Sequence, residues 1–231
     1  MCGRFILTTP AEQLAVEFAV DDVPQLIPRY NIAPSQAVAV IALKQDGVRR
    51  GLAKLRWGLV PSWSNDPNAG PKPVNARSDS LNKPTFRDAF RSKRCLIPAD
   101  GFYEWATVGK AKQPHHFCMA SRRPFAFAGL WEVWTDGATK LITCCLITTD
   151  ANDLVRPIHD RMPVILKPVD YARWLDHATP IETVKELLKP FPAEDMESFT
   201  VSPHVNKPTH DGPECLQPVD SVRPVVHPTL W

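Results

Sequence analysis

The 231 residues hold 27 Lys and Arg against 25 Asp and Glu, a formal charge of +2, and 44% of them are hydrophobic. That is enough chain to bury a substantial core, and the near balance of charge excludes a basic or acidic tail, so any nucleic-acid binding has to come from a local cluster of positive charge. No run approaches the ~20 apolar residues of a membrane span and none has the charged start and apolar middle of a signal peptide, so the expectation is a cytoplasmic protein with no membrane partner. A first strand is expected at 4–8. Thr9-Pro10 then opens a helix, with Thr9 as N-cap, Pro10 at the first helical position and Glu12 closing a capping box. Ala11, Leu14, Ala15 and Phe18 share one face of that helix. The stretch PRYNIAPSQ (28–36) reads as a loop into the strand AVAVIAL (37–43). A turn at Gln45-Asp46-Gly47 returns the chain through a second strand ending in RWGLVPSW (56–63).

Residues 64–73 form a loop that delivers VNARSDS, and 78–93 hold short helices interrupted at Pro84. Strands are expected at 94–99, 101–106, 115–120, 125–134 and 139–148, with 107–114 as a hairpin tip and Asp136-Gly137 as a hairpin turn. After the loop DANDLVRPIHDRMP comes a short strand at 163–166, then helices at 168–176 and 180–188, the second with Thr179, Pro180 and Glu182 repeating the capping device of the first. A last strand is expected at 198–201. The six cysteines lie at 2, 95, 118, 144, 145 and 215, with no CxxC. The pair Cys144-Cys145 sits in LITCCLI, which reads as a buried strand in a reducing compartment. The 24 prolines are scattered, which implies many short elements joined by rigid turns. Strands predominate and βαβ alternation is absent. The reading is one α+β domain over 1–231, a curved, mostly antiparallel sheet or barrel with peripheral helices.

The chain starts MCGRF. Removal of Met1 leaves Cys2 with a free α-amine beside its thiol, groups that titrate near ~8 and ~8.5. Such an aminothiol either attacks an acyl carbon with the amine as base or condenses through both atoms with an aldehyde. A cysteine on a frayed terminus is the plain alternative. Three further polar segments sit where loops or strand ends deliver functional groups: Asn75-Ala76-Arg77, Asp100-Gly101-Phe102-Tyr103-Glu104-Trp105, and Ile158-His159-Asp160-Arg161-Met162-Pro163. Each has its structural alternative. Glu104 alternates with Tyr103 and Trp105, which on that pattern makes it solvent-facing. His159, Asp160 and Arg161 can satisfy one another in a loop, Asn75 can cap a turn, and the arginines can serve solubility. The seven histidines lack ligand spacing, so no metal is expected.

Taken together, MCGRF, YNIAP, WGLVPSW, NARSD, CLIPADGFYEW and IHDRMPVIL follow the order and approximate spacing of the SOS response-associated peptidase (SRAP) family of abasic-site processing proteins, which this sequence resembles from Cys2 to about residue 220. The resemblance implies a single α+β domain with a curved β-sheet core. It implies a DNA-damage function in which the mature N-terminal cysteine links covalently, as a thiazolidine, to the aldehyde of an abasic site in single-stranded DNA, a lyase-like activity that needs no cofactor. Cys2 resembles the crosslinking nucleophile. Asn75 resembles the residue that bonds near the N-terminus, Glu104 the acid/base carboxylate, and His159 a second acid/base at a sugar oxygen. Arg4, Arg77 and Arg161 resemble phosphate contacts, and Pro34, Trp63 and Trp105 surfaces for stacking or interrupting bases. Where some relatives carry two adjacent tryptophans, Trp63 is followed here by Ser64. The expected partner is single-stranded DNA with abasic sites, bound by a monomer that is nucleoid-associated when on DNA. Three rivals are an N-terminal-nucleophile amidohydrolase, a cysteine peptidase using Cys2, Glu104 and His159, and a non-enzymatic single-strand binding module. The first expects an Asn-Gly pair that this chain lacks.

Overall fold

The computed structural model describes residues 2–21 and 23–219; the expected removal of Met1 falls outside them. In chain order come β1 (Phe5–Leu7), α1 (Ala11–Phe18), β2 (Arg29–Ile32), β3 (Ala37–Leu43), β4 (Arg50–Trp57) and β5 (Asn75–Arg77). A 3₁₀ turn at Ser78–Ser80 leads to α2 (Pro84–Ser92), β6 (Arg94–Ala99), β7 (Gly101–Val108) and β8 (Ala111–Met119). Then follow β9 (Phe125–Thr135), β10 (Lys140–Asp150), β11 (Arg161–Pro163) and β12 (Ile165–Leu166). The short helices α3 (Tyr171–Leu175) and α4 (Ile181–Lys185) precede β13 (Met196–Thr200) and two 3₁₀ segments, Pro203–Asn206 and Pro213–Leu216.

Two sheets pack on a shared core. The first has the order β13-β8-β7-β1-β2; in the second, β10-β4-β3-β6-β9 is closed into a ring by the β9–β10 hairpin. Closure leaves these five strands without a free edge among themselves. Pairing is antiparallel except where β10 runs parallel to β4 and β5. The core between the sheets is built by Phe5, Trp57, Phe102, Phe117 and Phe127, with edge-to-face contacts Phe5–Trp57 (5.3 Å) and Phe5–Phe127 (5.7 Å). The outer face of the first sheet is covered as well: Ile6 and Tyr103 pack with Val201, Val205 and Cys215 from the C-terminal segment. This α+β architecture is the expected one, and the runs rich in β-branched and aromatic residues form its strands.

Local departures have local causes. Thr9 does not cap α1: its hydroxyl donates to Asp100 Oδ1 (2.5 Å), and the helix begins with Pro10 as N-cap and no side-chain bond. Pro180 likewise starts α4 with no side-chain cap, and α4 ends at Lys185. Pro84 opens α2 rather than interrupting it, because its missing N–H and fixed φ suit a first turn. Residues 29–32, expected in a loop, pair with β1. The strands flanking 107–114 extend through most of it, leaving Gly109-Lys110 as the tip, with Gly109 at φ 60°. The expected strand at 163–166 is two pieces because the chain changes partner there: β11 pairs with β10, β12 with β9, and Val164 bonds to both, donating to Ile147 O and accepting from Ala128 N–H.

Candidate active site

Cys2 lies just ahead of β1 and is 0% exposed, part of the core between the sheets. Its position is fixed from β5, which is held beside β10 by parallel pairing of Asn75 with Leu146. From there Asn75 Nδ2 donates to the Cys2 carbonyl at 2.8 Å. Asn75 Oδ1 is buried and has no hydrogen-bond partner among the described residues, leaving an acceptor at the site. The Cys2 thiol contacts Arg4 O at 3.7 Å. Burial first, and the Glu104 charge second, push that thiol far above its ordinary range.

Glu104 is on β7, 4% exposed. The alternation that made it solvent-facing fails because both faces of this sheet are covered: Tyr103 and Trp105 meet the C-terminal segment, and Glu104 shares the inward side with Phe102. Burial raises its carboxyl above the usual carboxylate range, opposed in part by the charge of His159 and reinforced by Asp160. His159 sits in the turn before β11. Its Nδ1 accepts from Arg161 N–H at 2.9 Å and lies 2.8 Å from Asp160 Oδ1. The loop ion pair anticipated as a structural alternative is therefore present, and the same ring is within electrostatic reach of Glu104.

The structure thus gathers Cys2, Asn75, Glu104 and His159. The arginines differ in what holds them. Arg77 is half exposed (55%) and pairs with Asp79 at 2.7 Å. Arg161 is buried (9%), with Nη1 on Asp150 Oδ1 (2.6 Å) and Nη2 on Thr148 O (2.8 Å). Arg4 donates from Nη1 to Asn31 Oδ1 (2.8 Å) and Val205 O (3.0 Å), and lies 5.7 Å from the centre of the Trp105 ring. Trp105 Nε1 donates to Asn206 Oδ1. Trp63 is 61% exposed on the loop after β4, and Pro34 is exposed in a tight turn where Ser35 takes φ 70°. Among the described residues no group of three or more His, Cys, Asp or Glu side chains is placed to hold a metal ion.

Sequence reasoning missed Asn31. It is fully buried, and its Nδ2 donates to the carbonyls of Val205, Lys207 and His210 while Oδ1 holds Arg4. Asp211 continues the network by accepting from the Tyr30 and Asn31 backbone amides. An asparagine between Tyr30 and Ile32, in what proves to be a strand, was the available signal.

A family model described as SOS response associated peptidase (SRAP) matches residues 1–208. The chain belongs to this family. It is 44% identical over 224 residues to the abasic site processing protein YoqW of Bacillus subtilis (strain 168), across 94% of this chain and 99% of that one. It is 34% identical over 265 residues to the abasic site processing protein HMCES of Gallus gallus, across 95% of this chain and 78% of that one. A solved protein from Bacteroides thetaiotaomicron shares the fold at a TM-score of 0.83 and 24% identity, over 94% of this chain and 100% of that one. The SRAP chain has no helix, among its described residues, long and apolar enough to cross a membrane.

Proposed function

We propose that this SRAP protein processes abasic sites in single-stranded DNA by forming a thiazolidine between Cys2 and the sugar aldehyde. The relatives' names supply the substrate class. The observation that carries the chemistry is the Asn75 clamp on the Cys2 carbonyl beside a buried carboxyl whose pKa burial raises. The reaction requires Met1 to be absent. His159 protonates the sugar ring oxygen and takes up the proton that the C1′ hydroxyl loses, so the ring opens to the aldehyde and the imidazole ends as it began. The Cys2 amine adds to C1′ and gives a carbinolamine. Protonated Glu104 donates to its hydroxyl, which leaves as water, and an iminium remains. The resulting carboxylate takes the thiol proton as sulfur bonds to the same carbon, closing the ring and leaving its nitrogen as a neutral amine. One water is released and Glu104 ends protonated, so it acts as acid and then as base.

The buried thiol speaks against the peptidase reading. A cysteine nucleophile needs a depressed pKa and an electropositive setting, whereas burial and the Glu104 carboxylate raise that of Cys2. Arg77 and Trp63 are proposed to hold phosphate and base, with Arg4, Arg161, Pro34 and Trp105 shaping the cleft. Stacking on tryptophan tolerates any base.

The test is to mix the purified protein with a single strand bearing one abasic site and look for a denaturation-resistant mass shift. Cys2→Ala is expected to abolish the adduct and retain non-covalent binding. Substitution at any other cysteine leaves the adduct intact, because a thiol without an adjacent amine cannot close the ring. An undiminished adduct in Cys2→Ala sinks the mechanism.

A further inference from the structure

The outer face of α2 carries Lys83 at its N-cap, then Arg87 and Arg91, each four residues apart and each exposed. Four helical residues rise about 6 Å, so these cations form a ridge along one side of the helix. The adjoining stripe of the helix, Phe86, Ala89 and Phe90, is packed in the core. Arg87 and Arg91 of α2, Glu182 and Lys185 of α4, and Asp79 together line a groove of about 390 Å³.

Asp79 is the residue paired with Arg77, so the groove opens next to the candidate active site. At the other edge of α2, Thr85 and Phe86 join Trp63 in lining a second, apolar pocket of about 270 Å³. The helix therefore stands between an aromatic pocket and a basic groove. The carboxylates on this surface are already engaged: Asp88 with Arg87 (3.2 Å), Glu182 with Lys185 (2.9 Å) and Asp79 with Arg77 (2.7 Å). All three pairs are exposed, and such pairs are weak enough for a phosphate to displace, which arginine can bind in bidentate fashion. Arg91 has no carboxylate in ion-pair range among the described residues.

We infer that the ridge Lys83–Arg87–Arg91, with Lys185 across the groove, carries the phosphates of single-stranded nucleic acid running outward from the lesion site, beyond Arg77. Regularly spaced cations suit a chain whose charges are regularly spaced. This inference rests on the proposed function for the direction of the strand, and it is tested without the covalent step. The double variant Arg87→Gln, Arg91→Gln removes two exposed charges and is expected to keep the wild-type thermal midpoint. Binding to undamaged single strands of about five and about 16 nucleotides, which bracket the range of single-strand site sizes, is titrated with salt.

With ~0.7 counterion released per contact, the long-strand slope of log K against log salt flattens by about 1.4 in the variant, and the short-strand slope is unchanged. Between about 50 and about 200 mM salt that is roughly a sevenfold smaller loss of affinity. Arg91→Glu alone is expected to weaken long-strand binding in the same length-dependent way. An unchanged long-strand slope in the double variant, with crosslinking intact, overturns the ridge and leaves the proposed function standing. If the wild-type protein fails to crosslink and the slope still falls, the ridge stands and the covalent reading falls. Polyglutamate that competes with the long strand at equal concentration, and loses this ability in the variant, assigns the ridge to acidic peptides and overturns the inference.

Discussion

The Cys2 thiol is fully buried and faces the Glu104 carboxylate, and both conditions penalise negative charge on sulfur. In the proposed reaction the amine is then the first nucleophile, and sulfur bonds only when a base takes its proton in place. Burial raises the Glu104 pKa, so its protonated form persists to higher pH than an ordinary carboxyl. The sign for rate follows. The proposed crosslinking needs a neutral amine and a protonated Glu104, so it is expected to fall at low pH as the amine gains its proton and at high pH as Glu104 loses its own. Glu104→Gln is expected to slow formation and reversal by ~10²-fold or more and to remove the alkaline limb. Single-turnover crosslinking across pH measures this; an alkaline limb retained in Glu104→Gln assigns it to another group. The cysteine next to the chain start was legible in MCGRF without a structure. The burial of Glu104 was not, because alternation tells which residues share a face and not whether a distant segment covers it.

At the scale of elements, the short C-terminal segments are held by side chains from the strands beneath. Asn31 on β2 donates to three carbonyls of 205–210 and accepts from Arg4, so one amide ties β2, the start of the chain and the Pro203–Asn206 turn together. Asn31→Ala leaves these buried groups unpaired and is expected to cost about 3 kcal/mol. Asn31→Asp keeps the acceptor for Arg4 and removes the donors, so it frees the segment selectively. Limited proteolysis within 203–212, alongside denaturant unfolding, reads both effects; an Asn31→Asp segment as resistant as wild type shows that the carbonyl bonds do not hold it. The strands AVAVIAL, CLIPA and FAFAGLWEVW were legible from their residues. Residues 29–32 were not, because Arg and Asn occupy half of that short strand and its register is set by β1. The cap at Thr9 was misread for a similar reason: Asp100, 91 residues away, competes for its hydroxyl.

For the whole molecule, fold class followed from the excess of strands, but strand order did not. The neighbours β1 and β7, or the parallel contacts of β10 with β4 and β5, are chosen by packing between segments far apart in the chain. One such non-local arrangement sets the response to acid. His116 on β8 is 9% exposed, beside Tyr103 at 5.6 Å between ring centres, and its Nε2 has no hydrogen-bond partner among the described residues. Gly101 makes room for the ring: a Cβ there would lie 2.1 Å from Nε2 and 2.7 Å from Phe117 O. Burial, and then the nearby Arg122 cation, lower the imidazole to about 4. The unfolded chain, near ~6.5, binds a proton that the folded one refuses, so this stability is complete above ~6.5 and is lost as pH falls through the folded value. The difference amounts to about 3 kcal/mol at full protonation. His116→Phe keeps a ring of similar size against Tyr103 and cannot titrate. Denaturant unfolding at about pH 7 and about pH 4.5 is expected to show wild type losing about 2 kcal/mol more than the variant. The carboxylates common to both proteins titrate equally and cancel in that comparison, so an equal loss places the acid sensitivity elsewhere.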